Sequence, residues 1–247
     1  NIDPSFIDSL NGLARAYQEL GFFDKSIDIY KKLLEINPYL PDVLTNYGSA
    51  LFENNKIRKS IEIYKKALVI NPNFSPAHNS LALSLLLLGD YENGLKEYEW
   101  RFNSGYEKVL EALPTGKIWR GERLTSNEEL LVVSEQGFGD TLQFMRYIPY
   151  LIEQGINISF CAQKELHELI ISSGIHKNPI IPEEAHKRKC KWIPLLSLMQ
   201  YLDVNQQNPI INKTYIYPRK DRIDFWEKIL SSKKKPIIGL NWQGNPS

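Results

Sequence analysis

The chain has 247 residues, enough for one or two domains, with 43% apolar and 24% charged side chains and a formal net charge of +1. That balance suits a globular protein that buries a real core, and neither half is basic enough to point to nucleic acid: residues 1–108 carry a net −2 and the remainder +3. No signal peptide is visible and no apolar run approaches the roughly 18 residues of a membrane span, so a cytoplasmic location is expected.

Two cysteines, Cys161 and Cys190, make no disulfide framework, and Cys161 ends an apolar strand as a small hydrophobe. The histidines (His78, His167, His176 and His186) stand in separate elements without metal-ligand spacing, so no metal site is expected. Basic runs at 186–189 and 233–235 read as solvated loops.

From the N-terminus, Asp3-Pro4, Asn37-Pro38 and Asn71-Pro72 recur at a spacing of 34 residues. Leu13, Tyr47 and Leu81 keep the same beat, as do Ala14, Gly48 and Ala82, then Ser26, Ser60 and Gly94, then Tyr30, Tyr64 and Tyr98. A 34-residue period with small residues where two helices cross, and Pro after the second helix, resembles the tetratricopeptide repeat. It predicts three helix pairs over 7–20 with 24–36, 41–54 with 57–70, and 75–88 with 91–103, stacked into a curved solenoid. Gly21, Asn54-Asn55 and Gly89 suit the turns inside the pairs. Asn11, Asn46 and Asn79 lie near the inner helix face and are the candidates for gripping a peptide backbone. Equally open is a solenoid that only docks on the next domain. The repeat fails at Glu99-Trp100-Arg101-Phe102, where large aromatics suggest packing on that domain.

A linker with Pro114, Gly116 and Trp119-Arg120-Gly121 leads to an apolar strand over 130–135. The segment Glu135-Gln136-Gly137-Phe138-Gly139-Asp140 then opens a helix expected to run from about 140 to 154. Strand, Gly-rich turn and helix N-terminus form a corner that favours anions, the glycines allowing a tight turn and close approach of a ligand. The turn lacks the third glycine of a dinucleotide fingerprint and the Gly-Lys-Ser/Thr of a Walker loop. Asp140, with Gln143 three residues on, also reads as a plain N-cap and capping box. Beyond it come a strand (156–161), a helix (163–173), short strands (178–182 and 191–193), a helix from about 195, a helix (220–231) and a strand (236–241). The alternation predicts an open parallel sheet with helices on both faces, its ligand edge at the strand carboxyl ends.

Glu99-Trp100-Arg101, Trp119-x-Gly121, the run from Glu135 to Phe144, Arg146-Tyr147, Pro194-Leu195-Leu196-Ser197-Leu198 and Gly239-Leu240-Asn241-Trp242-Gln243-Gly244-Asn245-Pro246 occur in this order. As a set they resemble bacterial tetratricopeptide-repeat glycosyltransferases, similar to the O-linked N-acetylglucosamine transferases and, through the Gly-Asp turn, to heptosyltransferases. The resemblance implies a GT-B enzyme with two Rossmann-like domains and a nucleotide-sugar as substrate rather than a bound cofactor. It places the catalytic base on Asp140. It puts substrate contacts at Gln136, Gly137, Phe138, Gly139 and Thr141, and at Asn241, Gln243, Gly244 and Asn245.

The resulting fold class is α plus α/β. Three tetratricopeptide repeats (1–108) and a linker (109–128) precede a Rossmann-like acceptor-side domain (129–235) and the start of a donor-binding domain (236–247). The chain ends before the rest of that donor half, so it reads as a truncated form, inactive alone. The rival is a non-catalytic tetratricopeptide scaffold that binds a protein or peptide on the concave face. Neither reading involves nucleic acid or a membrane span.

Overall fold

The computed structural model describes residues 4–104, 110–125, 127–202, 204–205, 207–210 and 213–231. Six helices come first: α1 (Pro4–Glu19), α2 (Phe23–Ile36), α3 (Pro41–Glu53), α4 (Ile57–Ile70), α5 (Ser75–Leu87) and α6 (Tyr91–Tyr98). They form the three antiparallel pairs that the 34-residue period predicts. Pro41 and Pro76 start α3 and α5 in the first turn, where a missing N–H costs nothing. The turns inside the pairs need one left-handed residue each, supplied by Gly21 (φ 77°), Asn55 (φ 55°) and Gly89 (φ 82°).

The repeated small residues are where two helices touch. A Cβ on Gly48 would stand 2.4 Å from the ring of Tyr64, itself 2% exposed. Ala14 and Ala82 hold the equivalent places, both fully buried. Tyr30 and Leu33 of the first pair pack with Val43, Ala50 and Leu51 of the second, so each pair completes the core of its neighbour.

The last helix departs from the repeat. After Tyr98 the backbone tightens into a 3₁₀ segment, Glu99–Ser104, which stays packed on α5. Trp100 stacks on His78 of α5 with ring centroids 3.8 Å apart and planes 2° from parallel. The His78 Nε2–H donates to the Pro72 carbonyl at 2.8 Å, and its Nδ1 pairs with the Glu97 carboxylate. The aromatics that break the repeat thus fasten its end.

The second half holds a parallel sheet of β1 (Glu129–Val133), β2 (Asn157–Cys161) and β3 (Lys191–Pro194) in the order β2-β1-β3. Val132 pairs with Phe160 on one side and Ile193 on the other. Both faces are covered, which is why the central strand reads as a continuous apolar run, Leu130 to Val133. Leu130, Val132, Phe160 and Ile193 pack with Ile148, Leu151 and Ile170 on one side. Leu131, Val133, Cys161 and Trp192 pack with Ala112, Ile180 and Ala185 on the other.

Several elements differ from the sequence expectation. The single helix after β1 is two, α7 (Phe138–Phe144) and α8 (Tyr147–Glu153). Pro149 sits in the first turn of α8; with no N–H it cannot bond the Met145 carbonyl, and its ring would clash with that carbonyl in a continuous helix. The helix over 163–173 is a 3₁₀ turn, Lys164–Leu166, running into α9 (His167–Ser172). The strand over 178–182 shrinks to one bridge, Ile180 to Cys161, before α10 (Pro182–Ala185). A 3₁₀ turn after β3 leads to α11 (Leu198–Tyr201), and α12 (Lys220–Leu230) carries no buried residue. The stretch before β1 packs tightly where it is described: a Cβ on Gly116 would lie 1.8 Å from the Cys190 carbonyl oxygen, and Trp119 joins the sheet core. The strand expected over 236–241 lies outside the described residues.

Candidate functional site

The turn after β1 sits at the carboxyl end of the central strand. Gln136, Gly137, Phe138, Gly139, Asp140 and Thr141 share it. The chain bends through Gln136, a non-glycine held at φ 63°, and not through the glycines. Gly137 has φ −92° and ψ 173°, extended values open to any residue, and Gly139 is helical. The expectation that the glycines make the turn is therefore corrected. A residue in the left-handed region is strained by about 1 kcal/mol or more and persists only where its surroundings hold it. The Gln136 side-chain amide does so by donating to the Tyr98 hydroxyl at 3.0 Å. Gly139 keeps open space where a side chain would stand.

Asp140 is not the N-cap of α7. Gly137 is, and the Asp140 carboxylate reaches back from the third helical position to accept the Gly137 N–H at 3.2 Å. This satisfies one backbone donor of the first turn, a capping role taken from inside the helix. Asp140 is half-buried. Thr141 is fully buried, and its hydroxyl donates to the Gln163 side-chain oxygen at 2.9 Å, tying the turn to the end of β2.

In an open parallel sheet the ligand crevice lies where strand order reverses, outside the carboxyl ends. With the order β2-β1-β3 that crevice is between β1 and β3. Here it receives Arg101 from the end of the solenoid, 1% exposed against a fully buried Glu135. Its five N–H donors meet five acceptors: Glu135 Oε2 and Oε1, both at 2.9 Å, the Tyr98 carbonyl at 3.1 Å, Glu99 Oε1 at 2.7 Å and Ser197 Oγ at 2.7 Å. The Leu196 N–H, just past β3, also donates to Glu135 at 3.1 Å. The guanidinium lies 4.5 Å and 4.0 Å from the ring centroids of Tyr98 and Phe102. Burial pulls its pKa down, but the hydrogen bonds and charge of Glu135, with Glu99, outweigh burial and hold it above its ordinary value. In the sequence Arg101 and Glu135 stand inside separate motifs, and nothing there brings them together. The only signal was a charged pair flanked by aromatics and apolar strand.

The solenoid offers a second surface. First helices of successive repeats pack on one another, α1 on α3 and α3 on α5, so they form the inner wall. α3 has a neighbour on both sides, and its two exposed residues, Asp42 and Glu53, fall with the half-buried Asn46 and Ser49 at i, i+11, i+4 and i+7, one helical face. One repeat back stand Asp8, Gly12, Arg15 and Glu19; one repeat on stand Pro76, Ser80, Leu83 and Leu87, all accessible. The inner wall is thus four columns in register. Asn46 lies in a column. Asn11 and Asn79 lie beside it, level with the buried Thr45. The Asn46 side-chain N–H donates to Asn11 Oδ1 at 3.0 Å, which ties α1 to α3.

Clefts elsewhere among the described residues include one of about 280 Å³ walled by Arg146, Tyr150, Ile175 and Tyr215 and one of about 360 Å³ between the start of α6 and α11. Neither is lined by the 137–141 turn. Among the described residues no cluster of three or more His, Cys, Asp or Glu side chains could hold a metal. Among them, too, no helix is long and apolar enough to cross a membrane. Asn241, Gln243, Gly244 and Asn245 lie outside the described residues.

Comparison with known proteins identifies the solenoid. Residues 7–39 and 41–74 match one model of the tetratricopeptide repeat and residues 63–96 a second. The N-terminal helix pairs are tetratricopeptide repeats. Protein FlbA of Caulobacter vibrioides is 24% identical over 187 residues, an alignment that covers 61% of this chain and 31% of FlbA. The chain thus spans under a third of the length of that relative. Among solved structures, the Sgt2 tetratricopeptide domain of Aspergillus fumigatus is 27% identical, with a TM-score of 0.39, and covers 42% of this chain and 68% of its own. The first tetratricopeptide domain of Spaghetti (RPAP3), bound to the HSP90 peptide SRMEEVD, is 25% identical, with a TM-score of 0.39, and covers 41% of this chain and 81% of its own.

Proposed function

We propose that this chain is a protein-binding module: its tetratricopeptide solenoid receives an extended segment of a partner on the inner wall, and the α/β unit is docked rigidly at its end. The observation that carries this reading is the inner wall itself, whose accessible side chains stand in register over three repeats and include both exposed residues of α3, Asp42 and Glu53. Such a wall can take one extended segment across all three repeats. In this reading 1–108 is the binding unit, 109–128 the connection, 129–235 the docked unit, and the setting is cytoplasmic. The test is selection of displayed random peptides on the chain, with the double variant Leu83→Arg and Leu87→Arg as counter-screen. Expected are enriched peptides that bind the wild type and not the variant. No enrichment, or equal capture by both, contradicts it.

A second reading, favoured by the turn at the carboxyl end of the central strand, makes the α/β unit the acceptor-side, Rossmann-like half of a GT-B glycosyltransferase. Asp140 would then take the proton of an acceptor hydroxyl, a step that contributes about 10²–10⁴-fold in rate. Gln136, Gly137, Phe138, Gly139 and Thr141 would line the acceptor, and the 236–247 segment would open a donor unit around a nucleotide-sugar. In a longer protein that turns over a nucleotide-sugar, Asp140→Asn should abolish transfer and leave Tm unchanged. Unchanged transfer would leave Asp140 a capping residue.

A further inference from the structure

From the chemistry of the inner wall we infer the class of segment it takes: a cationic one with an apolar anchor, its basic residues over the first two repeats and its anchor over the third. This rests on the groove reading proposed above and specifies its occupant.

The columns are not uniform along the solenoid. In the first two repeats they carry Asp8, Glu19, Asp42 and Glu53 against one cation, Arg15. Among the described residues none of these four carboxylates is in an ion pair; Glu53 accepts a hydrogen bond from the Gln18 side chain at 2.8 Å. In the third repeat the same columns become Pro76, Leu83 and Leu87, and the two leucines are 54% and 62% exposed. The outer helices do not share this excess: α4 has four lysines and arginines to one glutamate, α2 three lysines to three carboxylates, and α6 one lysine to two glutamates. The inner columns of the first two repeats therefore carry an excess of negative charge, which draws cations toward the groove and repels acidic segments from it.

The spacing also constrains the occupant. Packed helices lie about 8–10 Å apart, and an extended chain advances about 3.3 Å per residue, so one repeat spans about three residues. A fitting segment has basic residues about three apart and a large apolar residue about three further on. The anchor removes exposed leucine surface from water, and the charges set register and choice of partner.

The test uses fluorescein-labelled decapeptides and fluorescence polarisation on the chain. One probe has two lysine pairs three residues apart and a leucine pair three residues on; a second replaces lysines by glutamates, and a third replaces leucines by serines. Expected is binding of the first that is at least about tenfold tighter than of the other two, and about tenfold weaker for Asp42→Lys combined with Glu53→Lys. Both positions are exposed, and an unchanged Tm checks that the variant folds. Equal binding of the glutamate probe, with loss in Leu83→Arg, Leu87→Arg, would overturn the cationic assignment while keeping the groove. Binding of no probe, together with no groove-dependent peptide from the displayed library, would remove the groove reading as well.

Discussion

Arg101 and Glu135 meet where the solenoid enters the sheet edge, and the pair separates two kinds of loss. Breaking a buried, hydrogen-bonded ion pair on one side strands a charge and costs about 3–5 kcal/mol, whereas replacing both partners by apolar groups is often neutral. Arg101→Met alone should therefore destabilise the chain by about 3–5 kcal/mol in urea unfolding, and Arg101→Met with Glu135→Leu should recover most of it. A double variant as weak as the single would show that the five hydrogen bonds, and not the stranded charge, hold the joint. Asp140 gives a smaller effect. Asn keeps an acceptor for the Gly137 N–H, so Asp140→Asn should change stability little, while Asp140→Ala should cost about 1 kcal/mol. The buried thiol of Cys161 is pushed up from 9.0 to about 12 by burial. Its neutral form is favoured in the fold, so this stability is full below pH 9 and is lost as pH rises toward 12. At about pH 8, below the ordinary thiol value, Cys161 should resist a thiol reagent in the native chain and react quickly in guanidinium; fast native labelling would contradict its burial.

The helix pairs of the solenoid were legible because a 34-residue period repeats at positions with a packing reason. Gly48 illustrates it: the small residue is required by the Tyr64 ring, 2.4 Å from where a Cβ would stand. Gly48→Ala should cost about 1–3 kcal/mol, read from the urea midpoint, while Gly139→Ala, helical with open space around it, should be neutral or stabilising by up to about 1 kcal/mol. No loss for Gly48→Ala would mean that the crossing relaxes. The central parallel strand was legible too, because burial on both faces leaves a continuous apolar run from Leu130 to Val133. The turn and the helix after it were not. Gln136 carries the left-handed bend that propensity assigns to the neighbouring glycines, since propensity cannot show which residue tertiary contacts will strain. Pro149 splits the helix after β1, a signal that was present in the sequence but outweighed by the apolar period around it. The strand over 178–182 fell to a single bridge because only Ile180 reaches the sheet edge.

At the scale of the whole molecule, the solenoid and the sheet are fastened through Arg101 and Tyr98, and the crevice between β1 and β3 is filled by the chain's own arginine. That joint could not be read from the sequence, because it depends on residues 34 and 96 positions apart that share no pattern. It leaves the inner wall of α1, α3 and α5 as the surface with accessible, ordered chemistry, whereas the glycosyl-transfer reading rests on the Asp140 turn. The groove is tested most directly by the change in backbone amide chemical shifts on titrating the lysine–leucine decapeptide into ¹⁵N-labelled chain. Binding on the inner wall requires shifts that follow the columns through Asp42, Asn46, Ser49 and Glu53 and reach Leu83 and Leu87. Shifts confined to α2 and α4, or to the turn from Gly137 to Thr141, would contradict it.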